Sequence, residues 1–193
     1  MQIRSASFVK GIVKADAVLE DGIPQIAFIG RSNVGKSSTI NALTKQNHLA
    51  KTSSFPGRTQ EINIFLINKT FYLVDLPGYG FAKAPKKTQQ DLQALIDWYL
   101  FNSNYQQTAV VLIIDAAIGI TAADLEMLQA LEMHHKNIIV AANKIDKIKP
   151  AAYQQQINTI KELAVGHAVI PYSTKKGLGV GALAEAILNK NKF

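Results

Sequence analysis

Short apolar runs alternate with segments of helical spacing along nearly the whole of the 193-residue chain. Ile26-Ala27-Phe28-Ile29 is an unbroken apolar run stopped by Gly30, the mark of a buried strand, and Lys36 to Lys45 then reads as a helix. Glu61 to Ile67 and Thr70 to Val74 flank Asn68-Lys69, which predicts a hairpin. Gln89 to Phe101 has helical spacing, with Leu92, Leu95, Ile96 and Tyr99 on one face. Strands are expected at Ala109 to Ile114, Asn137 to Ala142 and Ala168 to Pro171. Helices are expected at Ala122 to His134 (Leu125, Leu128 and Leu131 inward), Ala151 to Leu163 and Gly181 to Asn189. Repeated strand–helix alternation predicts an α/β fold: a mostly parallel six-stranded sheet with one antiparallel strand and helices on both faces. Residues 1–22 carry the weakest pattern. They are expected as an N-terminal segment, either an extra strand or a loose arm, ahead of one domain over residues 23–193.

In such sheets ligands bind beyond the carboxyl ends of the strands, and the informative residues follow the strands here. Gly30-Arg31-Ser32-Asn33-Val34-Gly35-Lys36-Ser37 fits G-x-x-x-x-G-K-[ST] between a strand and a helix. Its glycines let backbone N–H groups face a phosphate, and the helix N-terminus adds positive potential. Lys36 is expected to reach the β and γ phosphates, and the Ser37 hydroxyl to ligate magnesium. Asp75-Leu76-Pro77-Gly78 closes another strand, placing an acid where it can hold the metal shell and the Gly78 N–H where it can face the γ-phosphate. Asn143-Lys144-Ile145-Asp146 follows a third strand. The Asp146 carboxylate can accept from guanine N1–H and N2–H₂, a pairing adenine cannot offer. Asn143 can tie this loop to the phosphate loop, and the Lys144 stem can cover the base. Ser173-Thr174-Lys175 offers backbone N–H groups for the guanine oxygen. The order of the four motifs predicts a Ras-like P-loop GTPase binding GTP and GDP.

Composition narrows the partners. The chain has no cysteine, which excludes disulfides, thiolate metal sites and cysteine nucleophiles. Its 21 lysines and arginines against 14 acids give a net charge of +7. All but Arg4, Arg31 and Arg58 of these cations are lysines, suited to phosphate backbones or simply to a solvated surface. The longest apolar run, Ala109 to Ile114, is far too short to cross a membrane, and the N-terminus lacks a secretory apolar stretch. The cytoplasm, no membrane partner and a monomer are the expectations. His48, His134, His135 and His167 show no metal-ligand spacing.

Gly30 to Ser38, Pro56-Gly57-Arg58-Thr59-Gln60 and the string from Asp75 to Lys83 (DLPGYGFAK) resemble the EngB (YsxC/YihA) GTPases, over about residues 23–188. The resemblance implies a GTP-hydrolysing switch in large ribosomal subunit assembly, with a link to normal cell division and septation. It implies that Gly57, Arg58, Thr59 and Gln60 join the nucleotide site. It also implies that Thr59 ligates magnesium alongside Ser37 and Asp75 and senses the γ-phosphate. The catalytic set expected on these grounds is Lys36, Thr59 and Gly78, with Ser38 closing the phosphate loop. The partner implied is the large ribosomal subunit or its rRNA. Departures exist: Ala116-Ala117 stand where family members often carry an arginine, Trp98 comes late, and Tyr79 occupies the place of the water-orienting glutamine of many small GTPases. Asn33 is a candidate contact for potassium, the alternative being a residue that only braces the loop. A protein-binding signalling GTPase and a nucleotide-gated RNA-binding module are the rival readings.

Overall fold

The computed structural model describes residues 2–51, 61–80 and 85–189. Seven strands form one sheet: β1 (Ala6–Ile12), β2 (Gln25–Gly30), β3 (Ile62–Ile67), β4 (Phe71–Asp75), β5 (Gln107–Asp115), β6 (Ile138–Asn143) and β7 (Ala168–Pro171). Their order is β1-β3-β4-β2-β5-β6-β7. Only β3 runs against the rest, pairing antiparallel with β1 and β4. Asn68 and Lys69 at the β3–β4 turn both take left-handed backbone (φ 51° and 59°), the geometry of a tight hairpin.

The helices are α1 (Lys36–Thr44), α2 (Lys86–Asp97), α3 (Ala122–Met133), α4 (Pro150–Leu163) and α5 (Val180–Asn189). Alternate side chains of the central strands feed two cores. Ile26, Phe28, Val111 and Ile113 pack with Ile40 and Leu43 of α1 and Leu183 and Ile187 of α5. Ala27, Ile29, Val110 and Leu112 pack with Leu95 and Ile96 of α2, Leu128 and Leu131 of α3, and Ile157 and Ile160 of α4. The strands buried on both faces are near-continuous Val/Ile/Ala, as parallel sheets require.

Two details differ from the pattern reading, and the sheet has seven strands where six are expected because the N-terminal segment takes the extra-strand alternative. The helix expected to run to Phe101 changes winding at Trp98, where a wider π turn spans Trp98–Asn102. Leu125 is only half-buried, and Asp124 instead points into the interior and is fully buried. The N-terminal segment contributes β1 at the sheet edge, where Asn68 accepts from the backbone N–H groups of Arg4 (2.7 Å) and Ser5 (3.1 Å). Among the described residues, no helix is long and apolar enough to cross a membrane.

Candidate functional site

The loops after β2, β4, β5, β6 and β7 lie along one edge of the sheet, and the sequence motifs fall on them. The loop after β2 turns into α1 through Gly35, whose φ of 99° is left-handed. A Cβ at Gly35 would also strike the Asn143 side-chain amide, so conformation and close approach both require glycine. α1 has no side-chain cap, which leaves its first N–H groups directed out of the helix end.

Lys36 and Asp75 are both buried, and their charges meet: Lys36 Nζ lies 2.6 Å from Asp75 Oδ1. The Ser37 hydroxyl donates to Asp75 Oδ2 at 3.2 Å. A lysine, a hydroxyl and a carboxylate from two strand ends thus share one point. The carboxylate and hydroxyl are hard oxygen donors of the kind magnesium takes, so these residues fit that ion. Leu76 and Pro77 are buried, and the Leu76 N–H bonds the Phe28 carbonyl at 3.1 Å. Gly78 lies against the phosphate loop, where a Cβ would stand 3.1 Å from Ser32 N and 3.2 Å from the Gly30 carbonyl oxygen.

The loops after β6 and β7 lock onto the phosphate loop and onto each other. Asn143 is buried; its amide donates to the Val34 carbonyl (2.9 Å), and its oxygen accepts from the Lys144 and Thr174 N–H groups (2.8 and 3.2 Å). Lys144 Nζ donates to the Asn33 carbonyl (2.7 Å) and Asp115 Oδ2 (2.8 Å). Asn33 itself is exposed in a left-handed backbone (φ 66°). Ser173 is buried, and its hydroxyl donates to Asp146 Oδ1 at 2.6 Å. That bond, with the Lys175 and Lys147 charges nearby, holds the Asp146 carboxyl below its ordinary pKa of 3.8 and keeps it ionised. Beneath the loops the Tyr172 hydroxyl and Thr39 Oγ1 are 2.7 Å apart, bracing α1 against β7.

Gly30 to Ser38, Asp75 to Gly78, Asn143, Lys144, Asp146 and Ser173 to Lys175 therefore come together from four loops. Gly57, Arg58, Thr59 and Gln60 lie outside the described residues, as does Lys83. One residue was missed by motif reading. Asp124 joins Arg31 of the phosphate loop and Tyr79, with Arg31 Nε 3.1 Å from both its oxygens and the Tyr79 hydroxyl at 2.8 Å. The signal for it was local: Thr121-x-x-Asp124 is the pattern of a capping box, and both capping bonds are present.

A glycine loop at a helix N-terminus, an acid beside its lysine, and an N-K-x-D loop held to that glycine loop define a P-loop GTPase. A family model described as 50S ribosome-binding GTPase matches residues 25–144, and one described as elongation factor Tu GTP-binding domain matches residues 101–192. A probable GTP-binding protein EngB of Clostridium perfringens (strain SM101) is 45% identical over 162 residues, covering 84% of this chain and 82% of that protein. The probable EngB of Clostridioides difficile (strain 630) is 39% identical over 193 residues, covering 98% and 95%. A crystal structure of a probable GTP-binding protein engB superposes with a TM-score of 0.72 at 31% identity, over 86% of this chain and 97% of that one. Era, in complex with MgGDPNP and nucleotides 1506–1542 of 16S ribosomal RNA, superposes with a TM-score of 0.69 at 25% identity, over 87% and 56%. The chain belongs to the EngB family of GTP-binding proteins, and it is a GTPase that hydrolyses GTP.

Proposed function

We propose that this GTPase is a nucleotide-gated switch that engages the large ribosomal subunit, through its RNA, during subunit assembly in the cytoplasm. The family-implied link to normal cell division and septation belongs to the same reading. The observation that carries it is the match of residues 25–144 to a family described as 50S ribosome-binding GTPase. The RNA held by the Era neighbour supports the same partner class.

The charge pattern supports it as well. α2 opens with exposed Lys86 and Lys87 and has no acid in its first turn. Cations there oppose the helix dipole, each at a cost of about 0.3–1 kcal/mol. The dipole and the lysines add into one positive patch suited to phosphate. It lies just beyond the segment that starts at Asp75, so its position is expected to follow the nucleotide. Large-subunit particles should bind more tightly with a GTP analogue than with GDP, and less tightly as salt rises. Lys83→Ala/Lys86→Ala/Lys87→Ala should weaken binding and reduce the log–log salt slope by about 2, while GTP affinity is kept. Quantitative pelleting across a salt series checks this; equal slopes for variant and wild type would remove the lysines from the interface.

In the nucleotide site, the loop N–H groups and the α1 N-terminus bind the phosphates, Lys36 neutralises the β and γ oxygens, and the Gly78 N–H faces the γ-phosphate. Asp146 with Ser173 to Lys175 reads the guanine. Ser37, Asp75 and Thr59 hold magnesium, which when bound offsets charge building on the phosphate oxygens. Ser37→Ala should leave GTP binding detectable but largely insensitive to magnesium. A magnesium titration matching wild type would sink this ligand role.

A further inference from the structure

Asp124 does more than cap α3. Capping needs only Thr121, whose N–H and hydroxyl donate to Asp124 Oδ2 at 3.0 and 2.7 Å. Yet the carboxylate is fully buried and takes two further donors from separate strand-end loops, the Arg31 guanidinium after β2 and the Tyr79 hydroxyl after β4. A buried charge persists only when it is paired and hydrogen-bonded, and here four donors meet it. Burial and the Asp124 charge also push the Tyr79 phenol well above its ordinary pKa, so it stays a donor throughout the working range.

The backbone beside that phenol is equally fixed. The Ser32 N–H donates to the Tyr79 carbonyl at 3.0 Å, and the Tyr79 N–H donates to the Gly30 carbonyl at 3.3 Å. Gly78 lies between these bonds and the acid at position 75, pressed on the phosphate loop. The tyrosine ring is thus a peg: its hydroxyl sits in the Asp124 socket, and its backbone sets the register of residues 78–79 against the phosphate loop.

We propose that Asp124 is a positioning residue for GTP hydrolysis. By holding the Tyr79 hydroxyl and Arg31, it keeps the Gly78–Tyr79 backbone in register with the phosphate loop. It also keeps the phenol turned away from the attacking water. The residue at the glutamine place then acts through its anchored backbone and not through its side chain. The inference concerns intrinsic hydrolysis and does not depend on the ribosomal partner.

The test is single-turnover GTP hydrolysis by the full chain alone, with rates normalised to GDP-binding sites so that unfolded protein does not count. Tyr79→Phe keeps the ring and removes only the hydroxyl. It should slow hydrolysis about tenfold, the scale of one hydrogen bond to a buried charge, with GTP and GDP affinities within about twofold of wild type. Asp124→Asn should slow hydrolysis at least as much, and Tyr79→Phe should add nothing in that background. Should Asp124→Asn fail to fold, Tyr79→Phe decides alone. A Tyr79→Phe variant that melts earlier but hydrolyses at the wild-type rate per site overturns the proposal. So does one whose slower turnover is matched by an equal loss of GTP affinity, or losses that multiply in the double variant.

Discussion

Lys36→Ala is expected to lower GTP affinity by about 1000-fold, or ~4 kcal/mol, and to lower the melting temperature at the same time. The first effect is expected because Lys36 is the cation proposed to neutralise the β and γ phosphates. The second comes from Asp75, which is buried and has Lys36 as its ion-pair partner at 2.6 Å. Removing one member of a buried pair strands the other charge, a loss of ~3–5 kcal/mol, equivalent to about 10 °C for a chain of this size. The two effects separate in a double variant. Lys36→Ala/Asp75→Ala should regain much of the lost melting temperature, because no buried charge is left unpaired, but it should regain no GTP affinity. Calorimetric titration and thermal melts measure both. If GTP affinity returns in the double variant, the lysine acts only by neutralising Asp75 and does not reach the phosphates.

Local physics explains what could be read from the chain. The glycine loop, the hairpin at Asn68-Lys69 and the N-K-x-D loop are each written in fewer than ten consecutive residues. Their geometry follows from backbone constraints that act at that range. The central strands were equally legible, because burial on both faces demands unbroken apolar runs such as Ala109 to Ile114. The strand β1 was not, because an edge strand exposes most of its side chains and carries little alternation. Four of its seven residues, Ser7, Phe8, Val9 and Lys10, are exposed, and only Ala6, Gly11 and Ile12 at its ends are half-buried or buried. The free edge of β3 selects this strand, not its own pattern. Asp124 shows the other limit. Its capping role was readable from Thr121, three residues away, whereas its partners Tyr79 and Arg31 are 45 and 93 positions distant. No pattern along the chain encodes a contact that depends on three loops meeting at the sheet edge. The turn at Trp98 has the same origin. Tyr99 is fully buried, its hydroxyl donates to buried Gln25 at 2.9 Å, and this bond to the start of β2 accompanies the change in winding.

Asp146→Asn is expected to exchange guanine for xanthine preference. The carboxylate is an acceptor at both oxygens, which suits guanine N1–H and N2–H₂, and the Ser173 hydroxyl already orients it through Oδ1 at 2.6 Å. An asparagine oxygen can still accept from Ser173, so the loop should keep its shape. Its amide nitrogen, however, presents a donor where guanine also presents a donor, and it matches the carbonyl that xanthine carries at that edge. GTP affinity should fall by roughly 100- to 1000-fold, and xanthosine triphosphate affinity should rise to exceed it. The pH dependence follows from the same bond. Because the Asp146 pKa is lowered from 3.8, the wild-type preference for guanine should hold through mildly acidic solution. It should weaken only as pH falls through that lowered value and the carboxyl gains a proton. Competition titrations with both nucleotides, on wild type and variant, measure the exchange. A variant that keeps wild-type GTP affinity would place the guanine contact on another residue.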